Sequence, residues 1–147
     1  MKKYLVILFE ALLLSMLTLF LSFFTVWVKS FFYDVNNVEK LVSYYLYDTV
    51  FLVPFIETII TIFILKLLLL FFGKYPSILL MAAFWGVIHS LVGGVTLAFI
   101  AYVAFFSYGV IFYKYKNFKI RYLTLIMMLP HSLHNYYMYY LAEVYLN

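Results

Sequence analysis

From Tyr75 to Tyr113 the chain runs 39 residues without a single Asp, Glu, Lys or Arg, and this stretch decides most of what the fold can be. As one helix rising about 1.5 Å per residue it would measure about 58 Å, close to twice the ~30 Å hydrocarbon core of a bilayer. A membrane accommodates it only as two spans. Gly93-Gly94 is the natural point of reversal, so the sequence predicts an antiparallel hairpin of Ser77 to Val92 and Val95 to Tyr113 joined by a very short connection.

The remainder of the 147 residues follows the same logic, for the chain is 68% hydrophobic and 11% charged, whereas soluble domains are about half apolar. Tyr4 to Val28 carries Glu10 as its only charge. Its apolar core is too long for a signal peptide and no small-x-small cleavage site follows, so it reads as a retained first span. Thr49 to Phe72 and Tyr122 to Ala142 are the other apolar runs. The expectation is an all-α, polytopic transmembrane bundle of about five spans, a single transmembrane domain over residues 1–147. Lys2, Lys3, Lys74, Lys114, Lys116, Lys119 and Arg121 then fall on one side and Lys29 and Lys40 on the other. That bias predicts a multi-pass plasma-membrane protein with a cytoplasmic N-terminus and an external C-terminus. The connector Lys29 to Asp48 is net negative, with Tyr44, Tyr45 and Tyr47 placed as interface anchors. The net charge of +4 sits at the ends of apolar runs and forms no aromatic-interleaved patch, which argues against nucleic acid as a partner. No cysteine is present, so disulfides and thiolate chemistry are excluded.

Polar residues inside the apolar runs are where function is expected, since an ionised side chain at bilayer depth costs about 2.5–3.5 kcal/mol on insertion scales. Glu57 stands in the middle of the second run, three residues after Pro54, whose ring should bend the helix just before the acid. Glu10, near Lys2 and Lys3, reads instead as a carboxylate reaching the interface beside two ammonium groups. Trp85 and His89 are i and i+4 on the third run, which places the indole beside the imidazole, and Gly86 lets a neighbouring helix approach. His131 and Asn135 are i and i+4 on the last run, with His134 at the edge of that face and Pro130 loosening the helix before them. Counted along their spans, Glu57, His89 and His131 fall at one depth, about 12–15 Å from one face. Such a level, set with prolines, calls for a protein-lined or hydrated cavity.

Glu57 after Pro54, then Trp85-x-x-x-His89, then His131-x-x-x-Asn135, in that order on successive helices, resemble the three motifs of the CPBP family of intramembrane proteases, also called the CAAX amino-terminal protease or Abi family. Its pattern is EExxxR, FxxxH and HxxxN or HxxxD. The likeness covers about residues 53–141. Thr58 stands where the pattern has its second Glu, Ile62 where it has Arg, and Trp85 where it has Phe. The resemblance implies an intramembrane endopeptidase in which Glu57 and His89 activate a water, while His131 and Asn135 stabilise the oxyanion at the scissile carbonyl. Its substrate would be a peptide or protein, including prenylated CAAX ends or bacteriocin-related peptides, met in membrane lipid. The residues suit those roles: a carboxylate serves as a general base, and one well-placed N–H donor to an oxyanion is worth about 3 kcal/mol in a low-dielectric site.

Other readings of the same residues compete. Glu57, His89 and His131 could hold zinc as a two-His, one-Glu set; the glutamate-water route needs no cofactor and is preferred, because no H-E-x-x-H helix is present. His89 and His131 on separate spans could serve as axial haem ligands. Glu57 could be a protonated acid bonding between helices. The loss of the second Glu and the Arg together suggests a catalytically degenerate relative that binds peptides or membrane partners. Met127, Met128 and the tyrosines from Tyr136 to Tyr145 read as packing residues and interface anchors.

Overall fold

The computed structural model describes residues 5–7, 9–10, 12–14, 16–20, 24 and 48–146, with the side chains of 93, 138 and 141–146 left aside. Every element in them is helical. The described residues of α1 lie within Leu5–Phe20. A π-helical turn, Asp48–Leu52, leads into α2 (Val53–Phe71), followed by α3 (Lys74–Tyr115) and α4 (Ile120–Leu146). Among the described residues, three helical stretches are long and apolar enough to cross a membrane: Asp48–Phe71, Lys74–Val92 and Gly94–Tyr115. The chain is therefore a helical membrane protein. The connector Lys29 to Tyr47, with its three tyrosines, lies outside the described residues, as do Lys2 and Lys3.

The charge-free stretch folds back on itself. α3 spans 42 residues, but Gly94 adopts φ 67°, a left-handed conformation in which an L side chain would be strained, and divides it into two limbs. The two limbs on either side pack together. A Cβ at Gly86 would meet the Ala98 carbonyl oxygen at 3.2 Å, and one at Gly109 would meet Ile78 Cγ2 at 2.8 Å. In a straight helix Ile78 and Gly109 would stand about 46 Å apart. The hairpin expected at Gly93-Gly94 is thus formed, without a loop.

Pro54 falls in the first turn of α2, and a π-helical turn already precedes it, so the winding changes from π to α next to the proline, just before Glu57. Pro130 lies inside α4, which remains helical on both sides of it. The last run is helical as expected but stands outside the three apolar stretches, its apolar residues being diluted by His131, His134, Asn135 and tyrosines.

Where α2, α3 and α4 meet, Leu65, Ile78, Met81, Ala82, Phe112, Leu123 and Met127 form the core. Lipid-side residues such as Phe63, Leu70, Leu91 and Val95 are exposed. Apolar surface on both sides of the helices is what a bilayer permits and water does not. α1 is tied on by Glu10, which accepts from Lys114 Nζ at 2.5 Å and from Tyr115 Oη at 2.6 Å. Its partners are therefore on the end of α3.

Candidate functional site

The site begins with the register between α2 and the first limb of α3. Trp85 Nε1 donates to Thr61 Oγ1 at 2.9 Å, with both residues buried. Glu57 is one turn before Thr61 on α2 and His89 one turn after Trp85 on α3. In antiparallel neighbours, a bond between the first pair brings the second pair face to face. His89 Nε2 lies 3.9 Å from Glu57 Oε1. From the other side α4 delivers His131, whose Nε2 lies 3.2 Å from Glu57 Oε2. One carboxylate, placed by α2, is thus flanked by two imidazoles from α3 and α4, as the common depth of the three residues implied.

The polar surroundings orient the two imidazoles differently. His89 Nδ1 is 2.9 Å from the Trp85 carbonyl oxygen. A carbonyl only accepts, so Nδ1 carries the proton and, in a neutral ring, the Nε2 lone pair faces Glu57. Two acceptors then confront each other across 3.9 Å, a gap that a shared proton would close. His131 is more deeply set, with its side chain 7% exposed against 15% for Glu57 and 23% for His89. Its Nδ1 is buried without a hydrogen-bond partner, which leaves Nε2 as the atom directed to the carboxylate.

Aromatic rings wall the trio. Phe105, from the second limb of α3, stacks on Trp85 with centroids 4.6 Å apart, and meets His89 at 5.8 Å and His131 at 5.4 Å. Trp85 therefore stacks on Phe105, and meets His89 edge-on at 5.8 Å. Tyr108, one turn further along, lies 5.3 Å from His131 by ring centroids, and its hydroxyl is buried without a partner. Thr61, Phe105 and Tyr108 are the members of the site that the motif spacing did not single out. A helical projection would have flagged Phe105 and Tyr108 as one face of the second limb, but nothing in their residue types separates them from 31 other Phe and Tyr residues.

Asn135 is placed otherwise than expected. Its Nδ2 donates to the Thr49 backbone carbonyl at 3.0 Å, so one of its two amide hydrogens ties α4 to the entry of α2 and only the other is available elsewhere. His134 is buried, with Nδ1 unpartnered. Among the described residues no three His, Cys, Asp or Glu side chains are disposed to hold a metal ion. A groove of about 310 Å³ is lined by Gly86, Val87, Ser90, Val95, Ala98 and Phe99 among others, and Glu57, His89 and His131 are not among its walls.

Thr58 and Ile62, the positions at which the resembled pattern has Glu and Arg, are both buried, and Ile62 belongs to the apolar core. Comparison of the chain with protein-family models, with curated proteins and with solved structures finds no match.

Proposed function

We propose that the chain is an intramembrane endopeptidase that hydrolyses a peptide bond with a water activated by Glu57. The observation that supports this reading is the Glu57 carboxylate held between His89 Nε2 at 3.9 Å and His131 Nε2 at 3.2 Å. In the proposed reaction a water bound between Glu57 and His89 gives its proton to the carboxylate as its oxygen attacks the scissile carbonyl. Once Glu57 has taken that proton it no longer holds the His131 Nε2–H, which together with the free amide hydrogen of Asn135 stabilises the oxyanion, and the proton held on Glu57 passes to the departing amine. Peptide or protein segments within the bilayer are the substrates, prenylated CAAX ends and bacteriocin-related peptides among them. In this reading α1 and α4 also cross the membrane, making about five spans with the N-terminus in the cytoplasm and the C-terminus outside, at the plasma membrane.

The test is cleavage of a library of apolar peptides by the full chain in lipid nanodiscs. Glu57→Gln keeps the shape and removes the base, and His89→Ala removes its partner. Each should abolish turnover while the protein keeps its helicity and unfolding midpoint; turnover at the wild-type rate in either variant refutes the mechanism.

A second reading, a catalytically degenerate relative that binds peptides or membrane partners, is favoured by two observations. Buried Thr58 and Ile62 replace an acid and its counter-ion with packing, and the groove of about 310 Å³ does not open onto Glu57. It predicts no turnover on any peptide and a cellular phenotype indifferent to Glu57→Gln.

A further inference from the structure

Far from the trio, both ends of the α3 hairpin converge on a single ring. Lys74, at the start of the first limb, has its Nζ 4.6 Å from the centroid of Tyr113, and Lys116, just past the end of the second limb, has its Nζ 4.0 Å from the same centroid. The two ammonium nitrogens are no farther apart than the sum of those distances, which is close to the screening length of about 8 Å at physiological ionic strength. Each is attracted to the ring, and each repels the other.

No carboxylate offsets that repulsion among the side chains described. Glu10 is engaged by Lys114 and Tyr115, Glu57 lies with the histidines, and Asp48 opens the turn before α2, at the opposite end of that helix. Lys119 and Arg121 add further positive charge on the connector and the first turn of α4. Tyr75, under Lys74 at 4.9 Å, and Tyr122, under Arg121 at 4.8 Å, are amphipathic rings of the kind found at headgroup level. The level is therefore that of lipid phosphates, and the charge is complementary to them.

We propose that Lys74 and Lys116, clamped across Tyr113, form a binding site for the phosphate of an anionic phospholipid headgroup. The phosphate bridges the two ammonium groups as a shared counter-ion, while its acyl chains run along the lipid-facing side of the hairpin. The site depends on neither Glu57 nor the hydrolytic reading.

The experiment is native mass spectrometry of the full chain released from detergent micelles doped with equal amounts of dioleoyl phosphatidylglycerol and dioleoyl phosphatidylcholine. A juxtamembrane lysine contributes about fivefold to the affinity for anionic lipid. The preference for phosphatidylglycerol should accordingly fall about fivefold in Lys74→Gln or Lys116→Gln and about 25-fold in the double variant. It should fall by clearly less in Lys119→Gln, which adds to the local charge but lies off the ring, and persist in the doubly conservative Lys74→Arg, Lys116→Arg protein. Equal preference in wild type and double Gln variant overturns the site, as does the absence of any preference in wild type. A second arm adds inorganic phosphate at millimolar concentration. Its failure to displace the retained lipid supports a headgroup as the occupant; displacement by phosphate alone assigns the clamp to free phosphate and overturns the lipid.

Discussion

The hydrogen bond from Trp85 to Thr61 should be an energetic coupling that can be measured, and a functional one. Replacing Thr61 with Val keeps its shape and removes the acceptor; replacing Trp85 with Phe removes the donor along with part of the stack on Phe105. Each single variant mixes several effects, but a double-mutant cycle isolates the pair. Interhelical hydrogen bonds in membranes average about 0.6 kcal/mol and reach about 1.7, because the unfolded helices also find partners in the bilayer. Here the bond is 2.9 Å long and both residues are buried. The coupling should therefore lie in the upper half of that range, about 1–1.7 kcal/mol. The assay is unfolding by dodecyl sulfate in mixed micelles followed by circular dichroism, run on wild type, both single variants and the double. Because the same bond faces Glu57 with His89 one turn away, Thr61→Val should also lower kcat for peptide hydrolysis while leaving KM near its wild-type value. A coupling below about 0.3 kcal/mol, within the error of additivity, would refute the claim that this bond sets the register.

Three other perturbations test how the helices are held. Gly109→Val would drive methyl groups into Ile78 and Met81, whose atoms already stand 2.8–3.2 Å from a built Cβ; it should destabilise the hairpin by about 1–3 kcal/mol, read from the same unfolding curves. Glu10→Gln removes a partly exposed ion pair to Lys114, so it should cost no more than about 1 kcal/mol, with hydrolysis unchanged. Pro130→Ala should raise the thermal midpoint, because a proline in a helix interior costs about 3 kcal/mol, and should reduce turnover by shifting His131 against Glu57; a raised midpoint with unchanged turnover would show that the proline has no bearing on the site.

How much of this was legible in the residues follows from what kind of information each feature needs. The hairpin required only a length: a charge-free run too long for one span must turn, and Gly94 was the residue able to turn it. The meeting of Glu57, His89 and His131 required depth, which the ends of the apolar runs supply to within about a turn. Pro54 marked a disturbance of the helix before Glu57, but its form, a π-helical turn passing into α2 at Val53, depends on hydrogen bonding that a residue type does not specify. Glu10 was placed beside Lys2 and Lys3 by nearness in sequence, and these lie outside the described residues; the partners seen for it, Lys114 and Tyr115, are more than 100 residues away and no local spacing could have found them. Phe105 and Tyr108 carry no charge or motif to mark them.

The residues that most divide the two functional readings are those at which nothing polar remains. Where the resembled pattern has an acid and an arginine, Thr58 and Ile62 are buried, and buried charges need a partner to be tolerated at all. A chain with neither charge is thus stable there, where a chain with only one would not be. What remains around Glu57 is two imidazoles, with the Tyr108 ring packed against one of them. The carboxylate is then oriented by His131 alone at hydrogen-bond distance, with His89 standing off at 3.9 Å. Catalysis in such a site would depend on His131 as the positioning partner more than on His89. His131→Ala should accordingly be at least as damaging to hydrolysis as His89→Ala. The reverse order would mean that the pairing seen around Glu57 is structural, and that the base works in a different arrangement.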